Sequence, residues 1–104
     1  MGYYTKHTLE IIEGDGELIE KLRQSCDEAK ISFRADGKCA SATKWYYHDQ
    51  HMREFSAKHP TAIFKLYGVG EKSPDLWVDY YMDGKCQSCT AIITFPVFDK
   101  NKLL

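Results

Sequence analysis

Cys86-x-x-Cys89, with Cys26, Cys39 and His48-x-x-His51 elsewhere in the chain, has the residue types of a zinc site or a dithiol redox centre. Zinc needs its thiolates and imidazoles on one side of the backbone. A redox pair needs its first cysteine at a helix N-terminus, where the dipole lowers the thiol pKa. Residues three apart on a regular strand point to opposite faces, so Cys86 and Cys89 meet on one ion only if the strand bulges between them. The expectation is therefore unlinked thiols in a reducing cytoplasm. A zinc-stabilised module drawing on Cys39, Cys86 and Cys89 with His48 or His51 stays as an alternative.

His48 and His51 read as solvated first-turn residues of a helix, and His59 before Pro60 reads as helix termination. His7 shares a face with Leu9 and Ile11 and is expected to be a buried, hydrogen-bonded histidine. The chain contains no Gly-x-Ser-x-Gly, Walker or dinucleotide fingerprint. The expectation is a non-enzymatic protein that takes no cofactor.

The elements that would position these residues follow from hydrophobic periodicity. Tyr3 to Glu13 alternates as a strand and ends at Gly14-Asp15-Gly16. From Glu17 to about Ser32, Leu18, Ile19, Leu22, Cys26 and Ala29 form the stripe of one amphipathic helix, which turns Cys26 inward. A loop with Asp36-Gly37 precedes a short extended stretch over Thr43–Tyr47. Asp49 is positioned to cap a second helix with Met52 and Phe55 inward, ended by Pro60. Thr61 to Val69 is a strand with Phe64 and Leu66 on one face and Lys65 and Tyr67 on the other. The predicted fold class is α+β: a two-layer ferredoxin-like sandwich, a mostly antiparallel sheet with two helices on one face, in a single domain over residues 1–104.

The last two strands can be written down pair by pair. Asp83-Gly84 suits a two-residue type I′ turn, so Met82 faces Lys85, Tyr81 faces Cys86, Tyr80 faces Gln87, Asp79 faces Ser88, Val78 faces Cys89 and Trp77 faces Thr90. Paired residues share a face. Val78, Tyr80 and Met82 then join Cys89, Ala91, Ile93 and Phe95, an apolar set assigned to the core. Trp77, Asp79 and Tyr81 join Cys86, Ser88 and Thr90 on the open face. With Tyr67 and Lys65, Trp77 and Tyr81 would form an aromatic platform for a partner. The plainer alternative packs Trp77 beneath Tyr3-Tyr4 or the C-terminal tail.

Charge narrows the partner. A net charge of -1 removes the general attraction for phosphate backbones. The acids crowd residues 10–30 while bases and histidines crowd 31–60, a dipolar surface that suits a protein better than a nucleic acid. No apolar run approaches the ~20 residues that span a bilayer. Met1–His7 lacks a signal-peptide layout, so no membrane association and a cytoplasmic location are expected.

Thr43-Lys44-Trp45, Phe55-Ser56-Ala-Lys-His-Pro60, Phe64-Lys-Leu66, Gly70-Glu71, Asp75-Leu-Trp77, Tyr80-Tyr81 and Asp83-Gly84-Lys85 together resemble the YubB-type ferredoxin-like domains of phages and plasmids. The resemblance covers about half the chain and departs at Ala42, where members tend to carry Gly. It implies the same fold, a mobile-element source and a distinctive position at Trp45. The resulting expectation is a phage-type protein that binds and inhibits or modulates a host protein or complex, as an anti-CRISPR protein occupies a defence complex. Its partner-binding residues would be Trp77, Tyr81, Tyr67, Lys65 and Trp45. The rival is a single-stranded nucleic-acid-binding domain using Lys65, Lys44, Arg53 and the aromatics.

Overall fold

The computed structural model describes residues 2–104. Strand β1 (Thr5–Glu13) alternates buried His7 and Leu9 with outward Lys6 and Glu10, and the chain turns away at Gly14. Helices α1 (Leu18–Ser25), α2 (Asp27–Ser32) and α3 (His48–Lys58) follow. Strands β2 (Ile63–Gly70), β3 (Leu76–Met82) and β4 (Lys85–Thr90) complete an antiparallel sheet of order β1-β2-β3-β4. The three helices cover one sheet face, so the fold is the α+β two-layer sandwich expected, with its strands in sequential order. Among the described residues no helix is long and apolar enough to cross a membrane.

The single helix predicted from Glu17 to Ser32 is two helices. Cys26 takes an extended conformation (φ -147°, ψ 119°), and Ser25 Oγ donates to the Leu22 carbonyl oxygen freed by the break. The kink lets Ala29 and Ser32 reach the core independently of Leu18, Ile19 and Leu22. Thr43–Tyr47 forms no strand, only a bridge between Thr43 and Thr5. Asp49 lies within the first turn of α3 instead of capping it, while Met52 and Phe55 point inward as predicted.

Asp83 (φ 49°) and Gly84 (φ 76°) both adopt the left-handed conformation that a type I′ turn requires. All six predicted pairs from Trp77–Thr90 to Met82–Lys85 form. The face assignment, however, is inverted. In β2–β3, Phe64 pairs with Tyr81, Leu66 with Asp79 and Gly68 with Trp77, and Phe64 and Leu66 are fully buried under the helices. Tyr81 and Asp79 therefore enter the core, with Trp77 and Cys86 packed at its margin. Val78, Tyr80 and Met82 face away from the helices.

The error has a physical source. Ala91, Ile93 and Phe95 supplied much of the apolar character that marked the other face as core, yet β4 ends at Thr90 and these residues lie beyond the ladder. Beyond Ala91, whose N–H still donates to the Leu76 carbonyl oxygen, β3 offers no further strand to pair with. The tail is thus an exposed apolar arm.

Gly68 makes the new face arrangement sterically workable. A Cβ there would run into the indole of Trp77, which lies flat across the glycine. Gly68→Ala should displace Trp77 and cost roughly 1–3 kcal/mol, as small-to-large changes in packed sites do. Urea denaturation followed by tryptophan fluorescence measures this, and an unchanged midpoint with native emission would refute the packing.

Candidate functional site

The sheet register sorts the nominated residues. On the uncovered face, Glu10, Lys65, Tyr80 and Gln87 form one row across the four strands, and Thr8, Tyr67, Val78 and Cys89 form the next. Lys6, Val69 and Leu76 form a third row across β1 to β3. Tyr67 is 38% exposed, and Lys65, Val78 and Tyr80 are half-buried although no helix or strand packs over them. Tyr67, Val78, Tyr80 and Cys89 line an apolar cleft of about 320 Å³ that ends at Ala91, the root of the arm.

Trp77, Tyr81 and Trp45 belong to the opposite side, which corrects the predicted platform. Tyr81 is 0% and Trp45 2% exposed, and Trp77 is half-buried against His48, so none of the three joins Tyr67 and Lys65 on a surface. A five-residue platform is impossible in this register: Tyr67 and Lys65 occupy alternate positions to those facing Trp77 and Tyr81.

Beneath the helices lies a polar network centred on Asp79. Its carboxylate accepts from Ser88 Oγ at 2.6 Å and from the Tyr81 hydroxyl at 3.2 Å, and His48 Nε2 stands 3.6 Å away. The Tyr81 hydroxyl also reaches Asp49 at 3.1 Å. Burial opposes ionisation of Asp79, yet the His48, Ser88 and Tyr81 contacts outweigh it and hold its pKa below the usual carboxylate value. For His48, burial likewise disfavours charge. Its Nδ1–H donates to the Trp45 carbonyl oxygen at 3.0 Å while Nε2 faces Asp79, so both nitrogens meet acceptors and the pKa is raised. His7 sits 5.9 Å from His48 ring to ring, and burial plus that neighbour lower its pKa to about 4.

Serine, carboxylate and histidine in contact invite comparison with a hydrolytic triad, but the order is wrong. Asp79 lies between Ser88 and His48, so the hydroxyl donates to a carboxylate and no imidazole is placed to take its proton. Cys26 and His51 form a second thiol–imidazole contact at 3.3 Å. Here the Nδ1 lone pair already accepts the buried Trp45 indole N–H at 2.9 Å. Burial, reinforced by the nearby Glu28, pushes the Cys26 thiol up, opposite to an activated nucleophile.

The cysteine and histidine set proposed for zinc is not brought together. Cys86 faces the helices and Cys89 the open side, while Cys39 pairs with Phe33 in an isolated bridge. Two other groups converge among the described residues: Cys26, Glu28 and His51, and Asp49, Asp79 and Cys86. A cation on His51 Nδ1 would orphan the buried Trp45 N–H, a loss of about 1–3 kcal/mol. The second group already uses its Asp79 and Asp49 oxygens as acceptors for Ser88 and Tyr81. Both clusters are thereby accounted for as structural contacts.

Compared with known proteins, the chain matches no protein-family model, no curated protein and no solved structure. The Asp79 network was accessible to sequence reasoning in one respect. Asp79 and Ser88 are directly opposite in the predicted register, an acceptor facing a hydroxyl donor on one face.

The two histidines give opposite pH signatures. His48 has a raised folded pKa, so its stabilisation is complete below the ordinary value of about 6.5 and is lost as pH climbs through the folded value. His7 has a depressed one, so stability falls as pH drops from about 6.5 toward 4, where the unfolded chain takes a proton that the core refuses. His48→Gln should flatten the alkaline loss and His7→Gln the acid loss in urea midpoints measured from pH 4 to 8. Identical profiles for both variants and the wild type would contradict these assignments.

Proposed function

We propose that this chain is a non-enzymatic protein-binding module that docks through the uncovered sheet face around Tyr67 and Tyr80. One observation carries this reading. A face bearing Tyr67, Val69, Val78, Tyr80 and Met82 is left without a covering layer, whereas the titratable groups on the other face are consumed by one another. Rows of aromatic and aliphatic side chains bordered on β1 by Lys6 and Glu10, with Lys65 set beside Tyr80, combine the apolar and charged groups of a protein interface.

The YubB-type resemblance supplies the setting: a mobile-element protein acting on a host protein or complex, including the nucleic-acid site of a defence complex, in the anti-CRISPR manner. The nucleic-acid alternative finds less support in the placement of its cations. Lys65 stands opposite Glu10 in the register, Arg53 is bound to Asp49 at 2.9 Å, and Lys44 lies 5.0 Å over the Tyr4 ring. A net charge of -1 leaves no surplus with which to release counterions.

The test compares wild type with Tyr67→Ala/Tyr80→Ala in affinity capture from host lysate, followed by titration against the captured protein. Loss of two interface aromatics should weaken binding by at least about 30-fold, since a hot-spot residue carries ~2 kcal/mol. Melting temperature and circular dichroism should barely change. Undiminished binding by the double variant would refute the surface. Strong, salt-sensitive retention of single-stranded oligonucleotides would instead favour the rival.

A further inference from the structure

The C-terminal arm is the largest unexplained feature of the molecule. Ile92, Phe95, Val97 and Phe98 are 75–91% exposed, and Ile93, Leu103 and Leu104 are also open to solvent. Fully burying a large aliphatic or aromatic side chain is worth about 1.5–3 kcal/mol, so a free arm forgoes a large stabilisation. The radius of gyration, 16.3 Å, exceeds the ~13 Å of a compact chain this long because the arm projects from the body.

The arm leaves the sheet from an unprotected edge. β1, at the other edge, carries a bulge between Ile11 and Glu13 together with outward Lys6 and Glu10, devices that discourage pairing with another strand. β4 has none of these: no bulge against β3, no proline, and its single charge, Lys85, lies beside the turn. Its outer row of backbone donors and acceptors meets no other strand. Beyond Ala91, residues 92–95, Ile-Ile-Thr-Phe, are of strand-forming type but find no backbone partner among the described residues, because β3 begins at Leu76.

We propose that two copies of this chain pair through their β4 edges and exchange arms. A two-fold axis perpendicular to the sheet through Ala91 sets residues 91–95 of each copy antiparallel beside Gln87–Ala91 of the other. Ile93 then faces Cys89 and Phe95 faces Gln87, all on the side away from the helices, since paired residues share a face. Pro96, lacking an N–H, ends the added ladder. A second copy is the occupant because the chain carries both halves of the contact, donor arm and acceptor edge, as an isologous interface requires. Lys85 to Leu104 contributes about 20 residues a side, within reach of the ~20–30 of a stable interface. The assembly uses the backbone edge of β4 and the proposed host surface uses the sheet face around Tyr67 and Tyr80; the two adjoin at Cys89, and separate substitutions test them.

Sedimentation equilibrium at about 100 µM should give twice the 12.0 kDa chain mass, and Ile93→Lys/Phe95→Lys should return it to the monomer with native circular dichroism. Both substituted side chains are exposed in the single chain, so the variant tests pairing without touching the core. Ile93→Cys should form an intermolecular disulfide with Cys89 of the second copy under mild oxidation, which reports the register. A monomeric wild type, or a dimer indifferent to the arm substitutions, would overturn the proposal. Failure of Ile93→Cys to cross-link in a dimeric protein would overturn the proposed pairing. The Tyr67/Tyr80 binding result would stand in either case.

Discussion

A carboxylate buried at 5% exposure organises this sandwich. Desolvating an ion costs several kcal/mol, which the fold tolerates only where the charge is hydrogen-bonded and paired. Asp79 obtains its partners from three places: Ser88 across the hairpin, Tyr81 one step along the same face, and His48 at the start of α3. A one-residue slip of β3 against β4 would send Ser88 to the other face and strand the carboxylate. Sheet register and helix placement are thus tied to one group.

The same network reaches the molecule's end. Tyr81 hands on to Asp49, Asp49 holds Arg53 at 2.9 Å, and the Arg53 guanidinium lies 3.4 Å from the Gly84 carbonyl oxygen in the turn. Gly84 N–H donates in turn to Ser56 Oγ. The outer links are exposed and add little energy singly. Their consequence is geometric: α3 is pinned at its first residue by Asp79 and along its length by the hairpin tip. His48 is held flat against Trp77 by that pinning, with ring centroids 4.8 Å apart.

How much of this was legible depended on whether the governing interaction was local. Asp83-Gly84 and strand alternation determine the hairpin pairs, and every pair from Trp77 to Met82 was readable. Which face is inside depends on β2, whose Phe64 and Leu66 align with Tyr81 and Asp79 through a contact remote in sequence. Counting apolar residues misassigned it because Phe95 and its neighbours lie beyond the sheet. The broken helix at Cys26 was hidden for the same kind of reason: the apolar stripe continues past the break, and only the Ser25 hydroxyl hints at a stop. Of the candidate site, Tyr67 and Lys65 were placed on the correct face, while Trp77 and Tyr81 were put outward by that apolar count and Trp45 was nominated only through the YubB-type resemblance.

The inversion also changes what the aromatic residues are for. Trp45 donates its indole N–H to His51, the single Tyr81 hydroxyl proton is shared between the carboxylates of Asp79 and Asp49, and Trp77 stacks on His48: each uses its ring to fill space and its polar edge, where it has one in contact, to satisfy a buried partner. Residues with those commitments are poor anchors for a ligand, because withdrawing one would unsatisfy the group it serves. Tyr67, Tyr80 and the arm carry no such obligations in the hydrogen bonds of the fold. Selection for stability explains the helix-facing aromatics fully and leaves the outward ones unexplained. Apolar surface retained against the cost of exposing it is therefore where the proposed recognition is placed, on the bare sheet face and along the edge that continues into the arm.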